Sequence, residues 1–579
     1  MGVKGLTLFL EREKQHRTIE VLNKIKEWKR SHPGATPIVV IDFYNLAFRT
    51  GTHKCNVTAN ICSGVNQSVL NAWTKILTTL KACGCSLVFF VDLNVQEGKI
   101  ELWLSRENAQ FQTYKKVYDA IETGEFEKYR KSTIRVMHST ISAMLTIAKD
   151  FGEVHFTARH ECDLKAAQYA THHSALAVVT ADSDFLIYPG TWRYWSTLNI
   201  RRNGQMTALE FNREGLASVL GISQYQLPLL ATLLVNDLTH QYSKQLSQFH
   251  KAMCDPMLSP VNDVVKNVAR YVKKVGCVHL SDLDIKRITQ DVLGKDDEKF
   301  QGLIRKSLNS YNIEYPATVI DDPVEEKLLN TDMYKTYMYF MGEIQDIVLD
   351  TYDMRGCKAQ TNLTALLTDW AKRKTGLVRK RGEPYTFTLL TKKSFNEKYA
   401  VHKEEAIYPR FQLPPLDQLY IRNNESNNDL QMAEIRWNIL AFIMSLSKNV
   451  VSDLRRLPKT YLLICTVLYE LVKNGLLTIQ EADVILYTEH KANSNGHLIA
   501  SYPNKFIARF VRAAHIYDIS FANVVENFAI AGLLPQIQVN PTLNGSYFHR
   551  AMIQTSKMNA EDRDSFLASI RHFRIYTCI

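Results

Sequence analysis

Across 579 residues there is no Cys-x-x-Cys pair. The ten cysteines are scattered at 55, 62, 83, 85, 162, 254, 277, 357, 465 and 578. A zinc ribbon or thioredoxin-type site is thereby excluded. His53, Cys55 and Cys62 fit no standard zinc spacing and are expected in a reduced surface loop. Free thiols suit a cytosolic or nuclear chain. No apolar run reaches the ~18 residues of a membrane helix, so no membrane partner is expected. Met1–Leu6 carries no signal-peptide apolar region. Leu6 stands where a myristoylation signal needs Ser or Thr. There is no heptad array and no repeat of about 20–50 residues.

What is present is ordinary in bulk. Hydrophobic residues make up 46% and charged residues 22%, which argues for a folded chain over a disordered or coiled-coil one. The length suggests about three domains. There are 70 Lys and Arg against 59 Asp and Glu, a net charge of +11. Such an excess favours a polyanionic partner and says nothing of the fold.

The first 190 residues alternate between apolar runs and helical stretches. Runs at Pro37–Ile41, Ser86–Val91, Glu153–Phe156 and Ala175–Thr180 read as strands. Continuous apolar strands separated by helices indicate a parallel sheet covered on both faces. Helices fit at roughly 66–82, 105–120, 125–149 and 163–173. Ile134, Met137, Ile141, Leu145 and Ala148 form an apolar stripe at helical spacing. Beyond about 205 the strands fade and helical patterning takes over. The expected units are 1–255 as an α/β core, 256–408 as a helical region, 409–429 as a linker or long loop, and 430–579 as a helical domain.

The acids carry the chemistry. Asp42 and Asp92 end two strands, Glu161 and Asp163 open a helix after the third, and Asp182 and Asp184 follow the fourth. In an open parallel sheet the carboxyl ends of the strands hold the ligand. Asp237, after a helical apolar run, supplies a seventh acid. Clustered carboxylates raise one another's pKa. Hard divalent cations with oxygen ligands relieve that repulsion, and Mg²⁺ is the usual occupant. Two ions about 4 Å apart suit in-line phosphodiester hydrolysis.

In this order and spacing the motifs resemble the flap endonuclease/XPG-like nucleases, which have a PIN-like α/β core. The matching pieces are Met1–Leu6, Val40–Asp42, Phe90–Asp92, His160–Asp163, Thr180–Asp184 and Asn236–Asp237. They cover about residues 1–240. Ala181–Phe185 and Val235–Thr239, with the long helical extension, are most similar to the asteroid-type proteins of that family.

The resemblance implies a central, mostly parallel sheet with flanking helices and a helical arch, followed by a mainly α-helical region. It implies two Mg²⁺ ions, replaceable by Mn²⁺, on the seven carboxylates. It implies a phosphate-gripping role for Lys99 and Arg106, which a spacing of seven puts on one helix face. Gly2 and Phe48 fall at nucleic-acid-contacting positions, Phe48 at that of a base-stacking aromatic. Lys128, Arg130 and Lys131, interleaved with Tyr114, Tyr118 and Tyr129, fall in the arch interval, where basic groups with aromatics suit single strands. After Asp237 the sequence Leu238–Gln245 lacks the glycines of the family's duplex-gripping hairpin.

The expected activity is Mg²⁺-dependent cleavage of DNA at flaps or single-strand overhangs, in a nuclear repair setting with a cytoplasmic alternative. Two other readings stand beside it: an inactive adaptor binding nucleic acid or signalling partners, and an RNA-directed nuclease. Lys372–Lys374 and Arg379–Arg381 read as a nuclear-localisation signal, a nucleic-acid patch or a solvated surface.

Overall fold

The computed structural model describes residues 2–54, 60–64, 67–129, 134, 138–158, 161–200, 204–254, 263–276, 280–314, 323–328, 333–349, 363–379, 384–393, 397–420, 429–495, 503, 505–534 and 543–578. All structural statements below concern these residues.

Strands β1 (His16–Glu20), β2 (Ile38–Asp42), β3 (Ser86–Asp92), β4 (Glu153–Thr157), β5 (Ala177–Val179), β6 (Arg193–Ile200) and β7 (Met206–Phe211) form one sheet. Its order is β1-β7-β6-β5-β2-β3-β4. The pairs β2–β3, β2–β5, β3–β4 and β5–β6 are parallel, whereas β7 pairs antiparallel with both β6 and β1.

Period-2 alternation explains why the central runs are apolar throughout. Val40, Val88, Phe90 and Val178 enter one core, and Val39, Ile41, Leu87, Phe89, Val91, Ala177 and Val179 the other. Helices Gln67–Ala82 and His138–Phe151 pack on the second face, burying Trp73, Leu77, Met144 and Ala148. Helix Cys162–His172 covers the first.

The four sequence-derived strands are all present. Strands β1, β6 and β7, which are joined to one another by antiparallel pairs, escaped sequence reading because their runs mix polar and apolar residues, as in Arg193-Tyr-Trp-Ser-Thr-Leu-Asn-Ile200.

The buried clusters divide the chain elsewhere than at 255 and 408. The core on the first face continues through helices Val264–Val275, Asp282–Leu293 and Glu298–Ser310 to Tyr311. A second large core runs from Leu328 to Tyr576 and takes in Leu419 and Tyr420, inside the expected linker. Positions 421–428 of that linker lie outside the described residues. The second unit is not purely helical either. Strands β8 (Ile344–Asp346), β9 (Thr386–Thr391) and β10 (Ala400–Glu405) form a small sheet in the order β10-β9-β8.

The interval expected to arch over the site is instead gripped by this second unit. Helix Ile100–Glu122 buries Tyr114, Val117, Tyr118 and Ile121 in a cluster with Phe506 and Val511. The Tyr118 hydroxyl pairs with His515 Nδ1, and Phe126 meets Phe506 with ring centroids 4.7 Å apart. Tyr399 N–H donates to Asn108 Oδ1 at 2.8 Å, and the Lys392 ammonium sits 3.4 Å from the Phe111 ring centroid. Tyr114 and Tyr118 are therefore core residues and cannot stack on bases. Cys62, expected in a surface loop, is buried in the same cluster. Among the described residues no single helix is long and apolar enough to cross a membrane.

Candidate metal centre

Topology brings the acids together at the carboxyl edge of the sheet. Asp42 and Asp92 terminate neighbouring parallel strands, with Asp42 opposite Phe90 in register. Glu161 is the N-cap residue of helix Cys162–His172, and Asp163 lies in its first turn. Negative charge suits that end of a helix. Asp182 caps the short turn Ser183–Leu186, its Oδ1 accepting the Asp184 N–H at 3.0 Å.

Asp163, Asp182 and Asp184 each present an oxygen, and the three lie within 4.8 Å of one another. The donors are all carboxylate oxygens, as a hard divalent cation prefers. Asp42 is tied to the same loop: Thr180 Oγ1 donates to its Oδ2 at 2.8 Å, and Asn45 N–H to its Oδ1 at 3.3 Å.

The electrostatics fit an anionic cleft short of counter-charge. Burial pushes Asp42 up to about 6, Asp182 adding to the effect and hydrogen bonds from Thr180 and Asn45 opposing it. Asp92 is pushed up to about 7, first by the low-water surroundings, then by Glu161 and Asp42, while Lys99 opposes. Its residue lies at the exposed end of the strand, where water screens part of these effects. Burial and the Asp182 charge hold Asp163 and Asp184 well above the ordinary carboxylate range, and burial raises Asp182. Each shift has the same sense: without added positive charge the protonated form of these groups is favoured more than in a free carboxylate.

Two cations come from the neighbouring helix. Lys99 Nζ lies 2.8 Å from Glu161 Oε2 and 3.8 Å from Asp237 Oδ2. Arg106, two turns on, donates from Nη2 to Asp237 Oδ1 at 3.1 Å. Burial works against the Lys99 charge, but Glu161, Asp163 and Asp237 outweigh it and hold the ammonium well above the ordinary lysine range. Arg106 is more open than Lys99, its side chain 38% exposed against 23%.

Asp237 follows a strained turn. Val235 ends helix Leu227–Leu234 with φ at +79°, a left-handed conformation that a β-branched residue rarely adopts. The N-terminal segment clamps this turn to the Asp182 loop: Lys4 N–H donates to Val235 O at 3.0 Å, and Ser183 Oγ to Val3 O at 3.2 Å. Gly2 sits against that loop with φ at +78°, and a Cβ there would overlap Asp182 Oδ1 and lie 2.7 Å from Ser183 Oγ.

The second unit also touches this edge. Gly342 packs so closely on Asn94, two residues past Asp92, that a Cβ would collide with its amide.

The remaining expected site residues are less central. Phe48 is half-buried and stacked on Tyr44, ring centroids 5.9 Å apart. Lys128 is exposed and paired with Glu125. Arg130 and Lys131 lie outside the described residues. The basic run at 372–374 is not a free patch: Lys372 pairs with Glu404, Arg373 with Asp369, and Lys374 is buried against Glu526.

Sequence reasoning missed Tyr311, whose hydroxyl donates to Asp184 Oδ1 at 2.7 Å. Nothing in the local sequence marks it. Thr180 and Asn236 carried a signal through the motifs that contain them.

A FAM120A-like domain model matches residues 220–315, the helices that carry Asp237 and Tyr311. The curated relatives include the constitutive coactivator of peroxisome proliferator-activated receptor gamma. The mouse protein is 28% identical over 241 residues, covering 41% of this chain and 30% of that one. The human protein is 28% identical over 241 residues, covering 41% and 26%. The match therefore spans less than a third of either relative's length.

Among solved structures, the chain is similar to the catalytic core of Rad2 in complex with DNA substrate, at 15% identity and TM-score 0.31, covering 58% of this chain and 86% of that one. It is also similar to human GEN1 in complex with Holliday junction DNA, at 13% identity and TM-score 0.30, covering 72% and 90%.

Proposed function

We propose that this chain is a divalent-metal-dependent nuclease that cleaves DNA where a single strand meets duplex. The observation that carries the reading is the meeting of Asp163, Asp182 and Asp184 within 4.8 Å, in a cleft that Lys99 and Arg106 also enter. Asp163, Asp182 and Asp184 would hold one ion, with Asp42, Asp92, Glu161 and Asp237 completing a two-ion set. When bound, Mg²⁺ or Mn²⁺ supplies an activated water and counter-charge for the attacked phosphate and the leaving oxygen.

The chain's own residues do the rest. Arg106, the more open cation, grips a phosphate oxygen through its guanidinium fork. Lys99 sits deeper and balances charge developing beside Glu161 and Asp237. Phe48 offers a half-buried ring face on the helix that starts at Asp42. The asteroid-type placement, the nuclear location and the repair setting belong to this same proposal.

The test is incubation of the purified chain with labelled flaps, overhangs and plain duplex in Mg²⁺, with matched RNA versions. The reading requires cleavage at the junction that is abolished by Asp182→Asn with Asp184→Asn. Absence of cleavage on every substrate, or cleavage indifferent to those changes, rejects it. RNA preference would move the substrate, since the 2′-OH is what separates the two.

A second reading is favoured by the relatives. The proteins matched across 41% of the chain are named as constitutive coactivators of peroxisome proliferator-activated receptor gamma. On that reading the fold is a scaffold and the second unit carries the partner surface. Cellular function restored in full by the doubly substituted, cleavage-dead chain would favour it.

A further inference from the structure

We infer that Tyr311 is a positioning residue for the metal, acting through Asp184. The inference rests on reading the carboxylate cleft as a metal site and adds a residue to it from a helix far along the chain.

The argument follows the direction of the hydrogen bonds. Thr239 N–H donates to Asn236 Oδ1 at 3.1 Å. A backbone N–H can only donate, so this bond fixes which end of the Asn236 amide is oxygen. The Nδ2 end therefore faces the other way, donating to Ser307 Oγ at 2.7 Å and to the Tyr311 hydroxyl oxygen at 3.2 Å. Ser307 is itself held by Thr232 Oγ1 at 2.7 Å.

Because the Tyr311 oxygen already receives a hydrogen bond from Asn236, its own proton is turned to the remaining neighbour, Asp184 Oδ1, 2.7 Å away. That leaves Asp184 Oδ2 as the oxygen free for a cation. Asn236 and Ser307 are buried, so water does not compete for these bonds. The Tyr311 ring is buried too, and meets Tyr188 with centroids 5.3 Å apart, which fixes its hydroxyl in place.

Helix Glu298–Ser310 is anchored in the same core as the sheet through Phe300 and Ile304. The helix ends one residue before Tyr311 and carries Ser307, so its docking sets the rotamer of a carboxylate that lies 127 residues earlier. Partners of this kind orient metal ligands, and removing one typically costs about 10–100-fold in metal affinity.

The experiment measures Mn²⁺ binding by loss of the free-ion electron paramagnetic resonance signal, with no substrate present. Tyr311→Phe keeps the ring and deletes only the hydroxyl. The expected result is a Mn²⁺ affinity about 10–100-fold weaker than wild type, with cooperative thermal unfolding in metal-free buffer lowered by no more than the loss of one buried hydroxyl's bonds. In an Asp184→Asn background the same substitution should add nothing, because the residue it acts through is gone. Equal Mn²⁺ affinity for wild type and Tyr311→Phe overturns the inference alone. A full additional loss in the Asp184→Asn background overturns the route through Asp184. If wild type itself binds no Mn²⁺, the metal reading fails and takes this inference with it.

Discussion

Lys99 Nζ lies 2.8 Å from Glu161 Oε2, so the cleft holds a cation of its own alongside any metal it binds. That ammonium plays two opposed parts. It neutralises acids that would otherwise repel one another, and it competes with a metal for them. Lys99→Met should therefore lower cleavage about 100-fold, the cost of losing one donor aimed at developing charge. Mn²⁺ affinity should stay the same or rise. Gel cleavage rates and Mn²⁺ titration on one preparation check both parts.

The paired acids of the Asp182 loop should behave in the opposite way. Asp182→Asn with Asp184→Asn removes two desolvated groups, each raised by burial and Asp184 also by the Asp182 charge. Cleavage should disappear, while the metal-free chain becomes more stable. A gain of about 1 kcal/mol would lift the melting temperature of a chain this long by about 1 °C. Differential scanning calorimetry in chelator tests the sign.

Stability should also depend on pH in a metal-dependent way. Asp42 is raised from 3.8 to about 6 and Asp92 to about 7. A carboxylate raised in the folded state keeps its full contribution below about 4 and loses it as pH climbs through the folded value. The metal-free chain should therefore lose stability between about pH 4 and 7. Asp42 accounts for up to about 3 kcal/mol of this at about 1.36 kcal/mol per pH unit. Saturating Mn²⁺ should flatten the slope, because the cation stabilises the ionised forms. Urea unfolding midpoints across that range, with and without Mn²⁺, decide it, and an Asp42→Asn chain should show the smaller slope.

Gly2→Ala should disable the site through the Asp182 loop. A methyl group there collides with Asp182 Oδ1, and the residue also holds φ at +78°. The Asp182 loop must shift, so Mn²⁺ affinity and cleavage should each fall by at least about tenfold, within the range seen when a metal ligand's support is lost. Isothermal titration with Mn²⁺ measures the first and the flap assay the second.

The bond between the two units is testable on its own. Tyr118→Phe deletes the hydroxyl that pairs with His515 in a fully buried setting. The loss should be about 1–3 kcal/mol in denaturant unfolding, the cost of breaking a buried polar pair.

The parallel centre of the sheet was legible because burial on both faces forces near-continuous apolar runs, as in Ser86-Leu-Val-Phe-Phe-Val91. The acids were legible because Asp42 and Asp92 sit where those runs stop. Strands β1, β6 and β7 were not; β1, for one, reads His16-Arg-Thr-Ile-Glu20 and presents a largely polar face. The fate of the arch interval was hidden for a different reason. Tyr114 and Tyr118 look the same in sequence whether they face bases or a core, and the residues that bury them lie nearly 400 positions later. Tyr311 was invisible on the same ground: its partner Asp184 is 127 residues away, and a lone tyrosine after a helix carries no pattern.

Helix Ile100–Glu122 carries Arg106 on the carboxylate side and Tyr114, Val117 and Tyr118 against the far unit. A chain truncated at residue 314 would keep every acid of the cleft and still lay those three side chains open to water. The half that carries the carboxylate cleft and the helical half are therefore not interchangeable modules joined by a tether. One helix is the shared beam of both, so a lesion in either half is felt in the other, and the pair must be expressed, and must evolve, as a single piece.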